Sequence, residues 1–162
     1  MSGKNSRRKA REFVVQGLYQ FLIGGQDEAA IQVQTEAVPG FDKADTELFK
    51  ALLHETLLHS VDLQALIAPH ITRAWEDVSP IERGILLLAA CELKHHIETP
   101  YRVIINEAIE LTKTFGGTDG HRFVNGVLDK LAPGNKLRGY IRGVRSQGLD
   151  VTAVRPALAL KD

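Results

Sequence analysis

Five cations, Lys4, Arg7, Arg8, Lys9 and Arg11, fall within eight positions of the stretch KNSRRKAREF, in a chain whose formal net charge is zero. Guanidinium groups grip phosphate oxygens through paired N–H donors, and each neutralised phosphate of a nucleic acid releases condensed counterions. The chemistry open to this cluster is polyanion binding. Its plainer reading is a solvated helix end. Cations at a helix N-terminus oppose the macrodipole by about a few tenths of a kcal/mol, so the placement asks for a compensating anion.

A second group stands in HRFVNGVLDKL, residues 121–131. On a helix its core stripe is Val124, Val127, Leu128 and Leu131, while Phe123 falls about 90° from the stripe's centre and Arg122 and Asn125 lie further round. A rim phenylalanine with such neighbours suits stacking on an unpaired base, with hydrogen-bonding groups beside it. Packing at the rim of the core is the alternative. Gly126, on the far side from the stripe, costs about 1 kcal/mol relative to alanine in mid-helix and leaves the backbone open to close approach.

Catalytic and metal templates fit poorly. In HETLLH the histidines, His54 and His59, are five apart. That separates them by about 140° on a helix, so they do not converge on one ion as an i, i+4 pair does. FGGTDG lacks the lysine-serine ending of a phosphate loop and follows a helix, so it reads as a helix stop and a cap. No GxSxG or GxGxxG occurs. The lone Cys91, inside ILLLAACEL, reads as a small buried hydrophobe. No enzyme activity, cofactor or metal is expected.

The neutral total conceals segregation. Residues 1–25 carry five cations and one acid, 26–62 two and eight, 63–133 seven and nine, and 134–162 six and two. Basic ends flank an acidic middle, an arrangement suited to an anionic ligand on one surface and a basic partner on another. With 162 residues and no apolar run near the length of a membrane span, one soluble, cytoplasmic domain is expected.

Helical periodicity supplies the elements that must position these groups. A first helix is expected over Arg7–Ile23, with Ala10, Val14, Gly17, Leu18 and Phe21 facing the core and Gly24-Gly25 ending it. Asp27 caps a short helix reaching Glu36, and a longer one follows DKADTE, carrying Leu48, Phe49, Leu52, Leu53, Leu57 and Val61 to near Leu66. SPIE, residues 79–82, spells a helix start: Ser79 as N-cap, Pro80 first, Glu82 closing a capping box. The helix it opens, Ile81 to His95, is apolar on nearly all sides and should be central. Thr99-Pro100 starts another, Tyr101–Phe115, with Val103, Ile104, Ala108, Ile109 and Leu111 as its apolar positions. Thr118 or Asp119 caps the last, His121–Leu131. Past Gly134 the apolar period is lost. Residues 134–162 read as a basic, flexible tail to a single domain over 1–133.

The stretches RRKAREFVVQGLYQ, IERGILLLAACEL, PYRVIINEAIELTKTFG and HRFVNGVLDKLAP resemble, in order and spacing, the NusB family of transcription antitermination factors. The resemblance covers Arg7 to Pro133, and it is most specific in INEAIELTKTFG and FVNGVLDKLAP. It implies an all-helical fold of two roughly perpendicular three-helix bundles without catalysis. It further implies pairing with NusE, a small-subunit ribosomal protein. The pair binds boxA RNA of nascent ribosomal RNA leaders and, within an RNA polymerase complex with other Nus factors, suppresses Rho-dependent termination.

Carried over by residue, Arg7, Arg8 and Arg11 occupy the family's arginine-rich RNA-binding start, and Arg122, Phe123 and Asn125 its second RNA contact region. Tyr19, Glu82 and Asp119 match the NusE contact. Each has a structural alternative as well: Tyr19 as core rim, Glu82 and Asp119 as caps. Lys9 amid the arginines and Gly120 after Asp119 depart from the family pattern. A NusB-like domain also opens certain ribosomal RNA cytosine methyltransferases, which continue into a large α/β domain; that enzyme reading is not the one expected here. The alternative function is a homodimeric helical scaffold or RNA-binding module.

Overall fold

The computed structural model describes residues 3–117 and 119–131. The basic tail expected over 134–162 lies outside them. Helix α1 (Lys4–Gly24) ends where Gly25, at φ 66°, donates its N–H back to the Phe21 carbonyl. Helix α2 (Glu28–Glu36) starts as the sequence implied: the Asp27 carboxylate accepts from the Ala30 N–H at 2.9 Å. Asp45 does the same for α3 (Thr46–Leu58), accepting from Leu48 N–H at 3.1 Å.

The single long helix expected through Leu66 is two. The backbone breaks at His59, and α4 (Ser60–Ile67) sets off on a new course that buries Leu63 and Ile67. Val61, assigned by period to the core stripe, is instead 79% exposed, since the break rotates it away from α3's apolar face.

Helix α5 (Pro80–His95) has the expected N-cap, with Ser79 Oγ accepting from the Glu82 N–H at 3.2 Å, but the Glu82 carboxylate does not close the capping box and lies against Gly120 instead. Every residue from Gly84 to Leu93 is buried, which makes α5 the central helix. Helix α6 (Tyr101–Phe115) matches its expected span, although Val103 points outward and the N-cap is Pro100, without a side-chain bond. Helix α7 (Gly120–Lys130) follows Asp119, whose carboxylate makes no capping bond; Thr118, the other candidate cap, lies outside the described residues.

Packing groups six of the seven described helices into two sets of three, with α4 lying against α5. In one, α1, α2 and α3 contact one another; in the other, α5, α6 and α7 do, and α1 and α3 lie against α5 to join the sets. A chain of edge-to-face rings, Phe13 to Phe41 at 5.3 Å and Phe41 to Phe49 at 5.2 Å, fills the first set. Gly17 lets its helices close up: a Cβ there would stand 2.7 Å from the Ile31 Cγ2 methyl and 3.3 Å from Leu53. No helix among the described residues is long and apolar enough to cross a membrane.

Candidate nucleic-acid interface

The N-terminal cations separate into two groups with different work. Arg11 is buried, and its Nε and Nη2 donate to the two Glu92 oxygens at 3.0 and 2.8 Å. Glu92 stands in the buried stretch of α5 with its side chain 3% exposed, and a buried carboxylate there requires such a partner. Burial pushes the Arg11 pKa down, but the Glu92 hydrogen bonds and charge outweigh it and the net shift is upward. Arg11 is thus turned into the protein and committed to Glu92, whereas the arginine-rich start was expected to face RNA.

Arg8 makes a second fork across to α6, with Nε 3.1 Å and Nη2 2.7 Å from the Glu107 oxygens. This one sits at the edge, with side-chain exposures of 33% for Arg8 and 8% for Glu107. A side-on fork uses two of five guanidinium donors, leaving the outer edge of Arg8 for another acceptor. The hydrogen bonds from Arg8 hold the Glu107 carboxyl below its ordinary 4.5, against the opposing effect of burial.

A carboxyl depressed in the folded state favours folding above its unfolded pKa, and that contribution fades as pH falls. Melting temperature is accordingly expected to drop as pH is lowered below 4.5, and to drop less steeply in Glu107→Gln. Calorimetry across that range checks it; parallel slopes in the two proteins would discount the pair.

Two forks and one backbone bond, Asp45 N–H to the Ser6 carbonyl at 2.9 Å, fasten the first turns of α1. Lys4, Arg7 and Lys9 are exposed on the same turns. The fastened side of the helix thus holds the other side toward solvent.

On α7, Arg122 is exposed, Asn125 half-buried and Gly126 open, with nothing within 4 Å of a Cβ built on it. Phe123 packs half-buried against the core. Over its ring lies the guanidinium of Arg73, at 4.2 Å from the centroid. Sequence reasoning missed Arg73: residues 70–78 carry no period, and only tertiary packing brings them to α7. Helix α6 packs against both α1 and α7, so it is the element shared by the two cationic groups.

Of the residues assigned to protein contact, Tyr19 is 41% exposed on α1. Glu82 and Asp119 begin different helices, yet they belong to one patch. A Cβ on Gly120 would stand 2.6 Å from Glu82 Oε2, so glycine at this position admits the Glu82 carboxylate to the start of α7, beside Asp119. The departure at Gly120 thereby has a physical reason.

The histidines disperse: His54 meets Glu28 at 3.0 Å, His59 stacks on His95 with centroids 4.4 Å apart, and His96 bonds to Glu55. No group of three or more metal-ligating side chains forms among the described residues. Burial pushes the Cys91 thiol up to about 12, which keeps it protonated and unreactive at neutral pH.

Two three-helix sets around a buried central helix, with an anchored cationic helix end and an arginine-covered aromatic, define a helical binding module. A family model described as the NusB family matches residues 8–133. The transcription antitermination protein NusB of Aromatoleum aromaticum is 62% identical over 132 residues, covering 82% of this chain and 91% of the relative. Its counterpart from Azoarcus sp. is 58% identical over 133 residues, covering 82% and 86%. The chain belongs to the NusB family.

Among solved structures, T. maritima NusB superposes with a TM-score of 0.71 at 25% identity, covering 82% of this chain and 93% of that one. A crystal structure of the antitermination factors NusB and NusE in complex with dsRNA matches at 0.68 and 20% identity, over 83% and 98%. The latter likeness supports the all-helical fold.

Proposed function

We propose that this chain is an antitermination factor that pairs with NusE and holds the boxA element of nascent ribosomal RNA leaders as a single strand. Within an RNA polymerase complex with other Nus factors, the assembly suppresses Rho-dependent termination. Residues 1–133 act as the binding unit. The observation that carries this reading is the anchored start of α1: Arg11 and Arg8 are committed to Glu92 and Glu107, and this fixes the direction in which Lys4, Arg7 and Lys9 extend.

A flexible transcript crossing α6 meets those cations and the outer edge of Arg8 at one end. At the other it meets Arg122, Phe123 and Asn125, where an unpaired base finds an aromatic surface and polar neighbours. Family membership and the 62% identical antitermination relative support the role.

NusE takes the surface of Tyr19, Glu82 and Asp119. The Glu82 carboxylate at the start of α7, next in sequence to Asp119, suits a basic ribosomal protein, and the exposed tyrosine supplies contact area at small entropic cost.

The test is a titration of labelled boxA RNA with this protein, with and without NusE, across a salt series. Binding is expected to weaken steeply with salt and to tighten when NusE is present. Absent or salt-insensitive binding in the presence of NusE would leave a helical scaffold instead.

A further inference from the structure

The segment linking α4 to α5 is firmly seated, although it has little regular structure. Trp75 and Val78 are buried, and the Val78 carbonyl accepts from Arg83 Nε at 3.0 Å. At its start, the His70 carbonyl lies 3.4 Å from Nζ of Lys130 on α7. Between these anchors stands Arg73, exposed, with its guanidinium 4.2 Å above the Phe123 centroid.

Unlike Arg8 and Arg11, Arg73 has no carboxylate within ion-pair distance among the described residues. Its inner face is occupied by the ring, while its outer face and edge meet solvent. A base approaching Phe123 therefore encounters Arg73 first.

We propose that Arg73 is a further RNA-contacting residue. Its planar guanidinium forms the outer layer of a two-layer platform over Phe123, and an unpaired base stacks on it. This rests on the RNA-binding reading above. Guanidinium planes stack on π-faces on either side, and the ring beneath pre-orders an otherwise mobile side chain.

The exposed acids Glu76 and Asp77 follow Arg73 in the same segment. Their charge works against a purely electrostatic attraction of phosphate to this place, which leaves stacking on the planar face as the favourable contact. Lysine carries the charge equally well but has no plane to offer a base.

The experiment compares the parent with Arg73→Ala, Arg73→Lys, Phe123→Ala and the Arg73→Ala/Phe123→Ala double variant. Labelled single-stranded boxA RNA is the probe, NusE is present, and the salt concentration is varied. Arg73→Ala is expected to weaken binding about tenfold without moving the melting temperature. Arg73→Lys should keep the parental salt slope yet recover little affinity. The double variant should bind less than additively weakly, because both single changes dismantle one stack.

Parental or tighter binding by Arg73→Ala would overturn the proposal, since it would make Arg73 a cover that the base displaces. Full recovery by Arg73→Lys would overturn it too, by reducing the contact to charge. If Phe123→Ala and loss of the α1 cations weaken binding while Arg73→Ala does not, only this inference fails. If none of them weakens binding, the RNA-binding reading itself fails.

Discussion

Replacing Arg11 with alanine is expected to lower the unfolding free energy by about 3 to 5 kcal/mol, the largest single-residue stability effect foreseen here. The reason lies in what remains. Glu92, with its side chain 3% exposed among the apolar residues of α5, would lose both hydrogen bonds and its counter-charge at once. A carboxylate stranded there without partners must be solvated by distortion of its surroundings, which is unfavourable. Small domains are stable by only about 5 to 15 kcal/mol, so the midpoint of thermal unfolding should fall by roughly 10 to 15 °C.

The paired substitution Arg11→Met with Glu92→Leu should recover much of that loss, because it removes the charge along with its partner. Unfolding curves of the parent, both single variants and the double variant close a mutant cycle. A midpoint for Arg11→Ala within about 1 °C of the parent would show that the fork is dispensable.

The signal for this pair was present in the sequence but carried no direction, since Arg7 shares the angular sector of Arg11 and is exposed. Arg11 shares the angular sector of Leu18, which is a core position, and Glu92 interrupts ILLLAACEL, where every neighbour is buried. A cation on one core stripe and an acid on another imply each other once both helices are known to pack together. What periodicity does not supply is that pairing in space, so a count of arginines alone does not separate those turned inward from those facing solvent. Arg8 shows the same limit, because Glu107 reads as one more polar position in INEAIEL until α6 is laid beside α1.

Local chemistry was the most legible part. Caps at Asp27 and Ser79 are read directly from residue type, because a short polar side chain before an apolar period has one favoured use. The break at His59 was not legible. No glycine or proline marks it, and Val61 continues the helical period by coincidence; the turn is imposed by Leu63 and Ile67 seeking the core. Arg73 was hidden for a related reason, since its contact joins residues 50 positions apart through packing alone.

The second large effect concerns binding, and it uses the division of the arginines. Changing Lys4, Arg7 and Lys9 together to alanine is expected to weaken boxA RNA binding, with NusE present, by roughly 100-fold at low salt. Each single-strand phosphate contact contributes about 0.7 to the slope of log affinity against log salt, so removing three should make the slope shallower by about 2. High salt should then bring parent and variant together.

Stability should hardly change, because all three side chains are exposed while the fastening of α1 through Arg8, Arg11 and Ser6 remains. Arg11→Ala should behave in the opposite sense, losing stability while the fraction that stays folded keeps its RNA affinity. Binding isotherms at several salt concentrations, read beside melting curves of the same two variants, separate an exposed cationic face from a buried one. A triple variant with parental affinity and slope would remove the α1 cations from the RNA contact altogether.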